Sequence, residues 1–368
     1  MKKLFSIPIL TLSIAIFSMF FGAGNIVFPL MLGMKHQGQY IWAFLGLLLT
    51  AIGGPLLGLL AATFLEGKCK KVFFGAGKTL GLFLMITTLA MIIFIGMPRC
   101  LTISYSAINP LIPHSLLTFT IIFTAIALLC CWKHRYVLPM LGKFLSPLLL
   151  VCLIAIIYQC IASGKPLEIG SATGIEAFNE GFLTGYYTMD LVASVFFSAG
   201  IWTLIKINFK SDTKTTFKIA LVSGILGCGF LALVYLGLCH SAALFHKELL
   251  HTPTESLLTT LASLALGPKL ALVANIAVAL ACLTTVISLA MALSDIICND
   301  LLKNKFSYHT IVIANLAIMA IMSQVGFMGL MTILHPLISI CYPIVILLVL
   351  KTIYQRLFVK TNYANTLQ

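Results

Sequence analysis

Charge is what this chain has least of. Of its 368 residues only 9% are Asp, Glu, Lys or Arg, and just ten of those are acidic, while 60% are hydrophobic. A soluble globule carries roughly a quarter of its residues as charge; with a mean hydropathy of +1.08, that class is excluded. The signatures of several chemistries are missing as well. There is no HExxH, no GxSxG, no Walker A loop and no pair of aspartates within the apolar runs, so neither a membrane-embedded hydrolase nor an ATP-driven pump is indicated. The eleven cysteines include no CxxC and no regular spacing. Lying mostly inside apolar segments, they read as small packing residues, not as a disulfide or metal framework.

What the chain does have is long hydrophobic runs. Windows of about 20 apolar residues, the length that crosses a bilayer, fall near 6 to 33, 40 to 64, 78 to 107, 115 to 132, 137 to 162, 181 to 206, 216 to 243, 268 to 298, 306 to 324 and 328 to 351. The expectation is an all-α polytopic membrane protein of about ten spans, a single transmembrane domain with a tail over 352–368. Met1-Lys2-Lys3 before the first run resembles a secretory leader, but the run continues past Phe21 without a small-x-small cleavage site and reads as a retained first span.

The basic residues set the orientation. Eighteen of the twenty-three lie at the N-terminus, in the connections after the second, fourth, sixth and eighth spans, and in the tail; Lys35, Lys165, Lys247 and Lys269 are on the other side, and Arg99 is inside the third span. By the positive-inside rule both termini are cytoplasmic. The net charge of +13 then reflects contact with anionic lipid head groups, and its scatter over short loops argues against a nucleic-acid partner. Ten spans divide into two sets of five. Because five is odd, the second set, about 181–351, would lie inverted relative to the first, about 6–162.

The first span contains FFGAGNIVFP, residues 20 to 29. Two glycines, an asparagine and a proline in hydrocarbon predict an interrupted helix, whose freed backbone groups must be met by protein or a water-filled cavity. That is the setting of a small-solute site. The sixth span carries Gly181, Thr184, Gly185, Tyr186, Tyr187, Thr188 and Asp190, and is expected to break between Gly185 and Gly200. Arg99 and Asp190 are the ionisable residues deepest in the apolar spans; either they neutralise one another or they meet a charged solute. His335 is either a proton carrier or a neutral packing residue. Asp295 and Asp300 fall near the inner face, and His36, His240, His246 and His251 near the outer one, without a zinc pattern.

Five segments in order, FFGAGNIVFP, GMPRCLTISYSA (96–107), EGFLTGYYTMDLVASVFF (180–197), ACLTTVISLAMALSDII (281–297) and CYPIVILLVL (341–350), resemble the branched-chain amino acid:cation symporters of bacteria. The resemblance implies the fold of the sodium-coupled leucine transporters, with five-plus-five inverted repeats and discontinuous helices 1 and 6. It implies uptake of leucine, isoleucine or valine across the cytoplasmic (inner) membrane, with Na+ or H+ as coupling ion, no cofactor and no obligate protein partner. Two departures stand out: family members commonly have about twelve helices, and Leu30 stands where a second proline is common.

In such a site the backbone of Phe21, Gly22, Ala23 and Gly24 would meet the solute, Asn25 would steady the break, and Tyr187, Thr188, Asp190 and Arg99 would complete the substrate contacts. Helix dipoles and freed backbone groups suit a zwitterion. Thr284, Thr285 and Ser288, with Gly22, would supply oxygens for Na+; the alternative for each hydroxyl is a bond back to its own helix. Transport of another small neutral amino acid, a membrane-embedded enzyme and a channel are the competing readings.

Overall fold

The computed structural model describes residues 7–132, 146–163, 165–168, 170, 172–209 and 212–358. The basic residues Lys2, Lys3, Lys133, Arg135, Lys143, Lys210 and Lys360, the segment 137–145 and the tail beyond 358 lie outside these residues. Among the described residues there are helices and no strands. The helices used below are α1 (Ile7–Phe20), α2 (Ala23–His36), α3 (Tyr40–Leu47), α4 (Gly54–Phe64), α5 (Cys69–Phe74), α6 (Lys78–Met91), α7 (Met97–Ile108), α8 (Leu116–Trp132) and α9 (Ser146–Ala162). There follow α10 (Gly174–Tyr187), α11 (Asp190–Phe209), α12 (Thr213–Leu244), α13 (Leu257–Ile296), α14 (Tyr308–Ser323) and α15 (Gly326–Phe358).

Several of these join into longer rods, numbered by the span each fills: α1 and α2 make the first, α3 and α4 the second, α6 and α7 the third, and α10 and α11 the sixth. A π-helical stretch, Leu48–Gly53, links α3 to α4, and another, Ile92–Gly96, links α6 to α7. Among the described residues, five helical runs, and α10 with α11 as a pair bent by 41°, are long and apolar enough to cross a bilayer. Pro8–Phe20, Leu116–Trp132, Pro147–Ala162 and Tyr308–Ser323 are shorter apolar helices. The outward faces of these elements carry Leu129, Leu233, Ile321 and Leu347, all strongly exposed, as expected where lipid is the solvent. The chain is a membrane protein.

The sixth rod packs along the second with almost no space between backbones. A Cβ on Gly181 would lie 1.9 Å from the Ala43 carbonyl oxygen, and one on Gly185 would lie 1.9 Å from Thr50 Oγ1. Small residues four apart let two membrane helices approach in this way. The Thr50 hydroxyl, seated in that contact, donates to the Phe182 carbonyl at 2.9 Å. Gly181 and Gly185 are therefore contact residues inside an intact α10, and the break comes after them, within the expected stretch from Gly185 to Gly200.

The ion pairs divide the molecule into two ends. Lys35 pairs with Glu180 at 2.6 Å, Lys165 with Glu248, and Lys247 with Glu168, gathering three of the four lysines of the sparsely basic connections at one end. Lys70 reaches the Asp300 carbonyl at 3.3 Å, and Lys351 reaches the Gly75 carbonyl at 2.8 Å, at the other. The Lys247 hydrogen bond and the nearby His246 hold the exposed Glu168 carboxyl below its ordinary range. His36 closes α2 as a buried residue, 3.1 Å from Glu180, so it is no free loop histidine.

Candidate substrate and cation site

Two interrupted helices meet at one cavity. The first interruption is short: only Phe21 and Gly22 lie between α1 and α2, and Gly22 is extended at φ −107°, ψ −165°. Ala23 and Gly24, expected in the unwound stretch, are instead the first residues of α2. This still exposes useful groups, because first-turn N–H groups have no acceptor within their own helix. Pro29 sits inside α2 and does not end it. What it does is remove the donor that would otherwise serve the Asn25 carbonyl one turn back.

The second interruption is at Thr188 and Met189. Met189 adopts φ 64°, the left-handed region, with no glycine at the turn. Flanking bonds hold it there. The Met189 N–H donates to the Tyr186 carbonyl at 3.1 Å, the Thr188 hydroxyl to the Gly185 carbonyl at 2.9 Å, and the Asp190 N–H to Thr188 Oγ1 at 3.3 Å. Two side chains from elsewhere complete the ends. Arg99 Nη1 donates to the Tyr187 carbonyl at 2.7 Å, capping α10, and the Leu191 N–H donates to the Tyr342 hydroxyl at 3.0 Å, capping α11.

Asn25 joins the two interruptions. Its Oδ1 accepts from the Gly22 N–H at 3.1 Å, while its Nδ2 donates both to the Asp190 carboxylate and to the Tyr235 hydroxyl. Asp190 opens α11, where the helix dipole favours a carboxylate. Arg99 and Asp190 both line the cavity, but no ion pair links them. Besides Tyr187, the Arg99 guanidinium meets Met331 Sδ at 3.4 Å and lies 5.9 Å from the Phe28 ring centroid; its Nε is buried without a partner.

The cavity has a volume of about 40 Å³ and a mixed wall. Gly22, Ala23, Gly24, Asn25, Arg99, Thr188, Asp190 and Thr285 provide the polar side, and Met19, Phe20, Ile92, Met189, Ala193, Phe197 and Leu289 the apolar side. Tyr187 contributes its carbonyl to Arg99, while its ring lies tilted against the exposed His335, 5.2 Å between centroids, and 6.2 Å from Phe28.

Of the three hydroxyls considered for a cation, Thr285 reaches the first interruption. Its Oγ1 lies 3.0 Å from the Ala281 carbonyl, the bond back to its own helix, and 3.5 Å from the Phe21 carbonyl, sharing its one proton between them. The hydroxyl and the Phe21 carbonyl thus face one another at the interruption, oxygens of the kind that suit a hard monovalent cation. Thr284 bonds back to Ala281 at 2.8 Å. Ser288 is buried one turn further along α13 and does not line the cavity. No group of three or more His, Cys, Asp or Glu able to hold a metal occurs among the described residues.

Tyr235 and Tyr342 were not legible as site residues. Each is one tyrosine in an apolar helix, and only the packing of α12 and α15 against the interruptions gives it a role.

This arrangement can be set beside known proteins. The family described as "Branched-chain amino acid transport protein" matches residues 6–368. A protein of Staphylococcus aureus (strain MRSA252) named as a branched-chain amino acid carrier is 31% identical, over 94% of this chain and 82% of that one. The chain is similar in fold to MhsT in complex with L-phenylalanine, with TM-score 0.65, 16% identity and coverage of 92% of this chain and 87% of that one. It is also similar to Mhp1, a nucleobase-cation-symport-1 family transporter with bromovinylhydantoin bound, with TM-score 0.64, 13% identity and coverage of 93% and 77%.

Proposed function

Because the chain belongs to the branched-chain amino acid transport protein family, we propose that this transporter imports leucine, isoleucine or valine across the bacterial cytoplasmic membrane by symport with Na+. The observation that carries the reading is the meeting of two interrupted helices at one buried cavity, with Asn25 bonded to both sides of it. The substrate carboxylate is received by the first-turn N–H groups of α2 at Ala23 and Gly24, where the positive helix end favours an anion. Its ammonium faces Asp190 and the Phe21 carbonyl. Thr285, Phe21 and Ala281 coordinate Na+ beside Gly22, so that filling the cation site fixes the same interruption that holds the substrate. Arg99 keeps the Tyr187 end of the sixth rod in place.

In this reading both termini are cytoplasmic, residues 6–162 and 181–351 form inverted repeats, and alternating access moves one set of helices against the other around the fixed site. The partners are the amino acid, the coupling ion and the bilayer. The test is uptake of labelled leucine, isoleucine and valine into proteoliposomes, with the sodium and proton gradients imposed separately. Uptake should follow the sodium gradient and saturate with substrate. Uptake that follows pH and ignores sodium replaces Na+ by H+, and flux that neither saturates nor responds to either gradient removes symport.

A further inference from the structure

Met189 forms part of the second interruption and also contributes an apolar side chain to the cavity wall. Its backbone is left-handed at φ 64°, a conformation that glycine adopts freely and other residues rarely do. Its side chain is buried and lines the cavity wall. Across from it is the π-helical stretch Ile92–Gly96 of the third rod, which presents both Ile92 and Gly96 to the same space. Such π-bulges are frequent at functional sites. The Met189 thioether reaches that wall: a Cβ built on Gly96 would lie 3.8 Å from Met189 Sδ and 3.5 Å from Ile92 Cγ2.

The cavity volume, about 40 Å³, is well below the roughly 150 Å³ of an apolar cavity that holds a benzene ring. An aliphatic side chain therefore fits only if part of the wall yields. The backbone around Met189 is fixed by the bonds at Tyr186, Thr188 and Tyr187. Its unbranched thioether, with three rotatable side-chain bonds, is the part of the wall on the α7 and α11 side most able to re-pack, with Met19 of α1 also lining the cavity. Ala193 has little to move, and Ile92 is branched at Cβ and stiff at χ1.

We propose that Met189 is the specificity-determining residue of the cavity, an adjustable wall held by a strained backbone and closed against Gly96, which sizes the side chain of the bound amino acid. The inference rests on the reading of the cavity as the amino acid site. A left-handed methionine serves this purpose better than glycine would, because glycine would free the turn and leave the wall open. The energetic scale is set by apolar fit: one methylene in such a pocket is worth about 10- to 200-fold in discrimination.

The test is equilibrium binding of valine, leucine and phenylalanine to the purified full-length protein and to Met189→Ala, Met189→Gly and Gly96→Ala. The glycine variant suits the left-handed turn, which guards against a misfolded alanine variant. Both Met189 variants should raise the phenylalanine-to-valine affinity ratio by about tenfold or more. Gly96→Ala, whose added methyl meets its neighbours at ordinary contact distance, should lower the leucine-to-valine ratio. An unchanged ratio in folded Met189 variants that still bind leucine overturns the inference and leaves the amino acid site standing. Should neither Met189 variant fold, Gly96→Ala decides alone: a lowered ratio supports the wall, and an unchanged one overturns it. If the wild-type protein binds none of the three ligands, the site itself falls and the inference with it.

Discussion

Asn25 donates from a single nitrogen to the Asp190 carboxylate and to the Tyr235 hydroxyl, tying the first turn of α2 to the first residue of α11. These groups are 165 positions apart in the chain, so the bond is a tertiary lock between the two interruptions. A buried hydrogen bond to a charged group contributes about 1.5–3 kcal/mol, and losing one partner strands the other. Asn25→Ala and Asp190→Asn should therefore each destabilise the purified protein, and the double variant should lose less than the two losses combined. Thermal unfolding of all four proteins gives the coupling, expected at about 1–2 kcal/mol. Additive losses would mean that the two side chains act independently.

The proposed cation site makes a sharper demand on Thr285 than on its neighbours. Thr285 reaches the Phe21 carbonyl as well as its own helix, while Thr284 bonds to its own helix and Ser288 is away from the cavity. Thr285→Val removes an oxygen at nearly constant volume. It should raise the sodium concentration for half-maximal uptake by about tenfold, the loss of roughly 1.4 kcal/mol of ion binding, while Thr284→Val and Ser288→Ala move it less. Equal sodium dependence in wild type and Thr285→Val would falsify the placement.

The hydrophobic runs made the architecture legible, because helical spans in lipid need only length and apolarity. The first interruption was legible too, since Gly22 and Asn25 announce it in sequence. The second was readable to the stretch between Gly185 and Gly200, and the turn falls inside it at Thr188–Met189, while Gly181 and Gly185 themselves serve close packing against Ala43 and Thr50. A left-handed methionine leaves no mark in composition: flanking bonds from Arg99 and Tyr342 impose it, and these come from distant segments. The depth of Arg99 and Asp190 is legible in the sequence, but depth along a helix does not say which way a side chain turns, and they share a cavity without pairing.

Packing of the sixth rod on the second predicts an unequal response to the same substitution. Gly181→Ala places a methyl inside the Ala43 carbonyl contact, where backbone must move, whereas a Cβ on Gly200 meets nothing within 4 Å. Overpacking of this kind costs about 1–3 kcal/mol, while Gly→Ala at an open helical position is favourable by up to about 1 kcal/mol. Gly181→Ala should melt earlier than wild type in detergent, and Gly200→Ala at the same temperature or later. Equal melting temperatures for the two variants would remove the close contact.

Glu168 provides a prediction at the rim, outside the membrane. Hydrogen bonding from Lys247, then the charges of Lys247 and His246, lower its carboxyl from an ordinary 4.5. A group depressed on folding stabilises the fold above its unfolded value, and that contribution fades as pH falls through the folded value. The connection should therefore loosen below about pH 4, and less so in high salt, which already screens exposed pairs. Hydrogen exchange in the segment around residues 165–168 is the measurement. Glu168→Gln should show the faster exchange already at neutral pH and no further acid-induced rise from this pair.

Arg99 tests whether its charge stabilises the fold or serves the solute. The guanidinium is buried, makes no ion pair and spends Nη1 on the Tyr187 carbonyl at the negative end of α10, with Nε left unpartnered. Desolvating a charge with so few partners is costly, and an apolar residue of similar volume can be neutral or stabilising by about 1–4 kcal/mol. Arg99→Met should accordingly fold with a melting temperature at or above wild type. It should nevertheless transport poorly, because the second interruption loses its cap and the cavity loses its cation. Arg99→Lys restores a charge without the planar fork and should recover part of the uptake. A direct ion pair with Asp190 requires the opposite pattern: Arg99→Met would be destabilised by several kcal/mol through the stranded carboxylate, and adding Asp190→Asn would restore stability. Melting curves and leucine uptake for these three variants and wild type separate the two accounts.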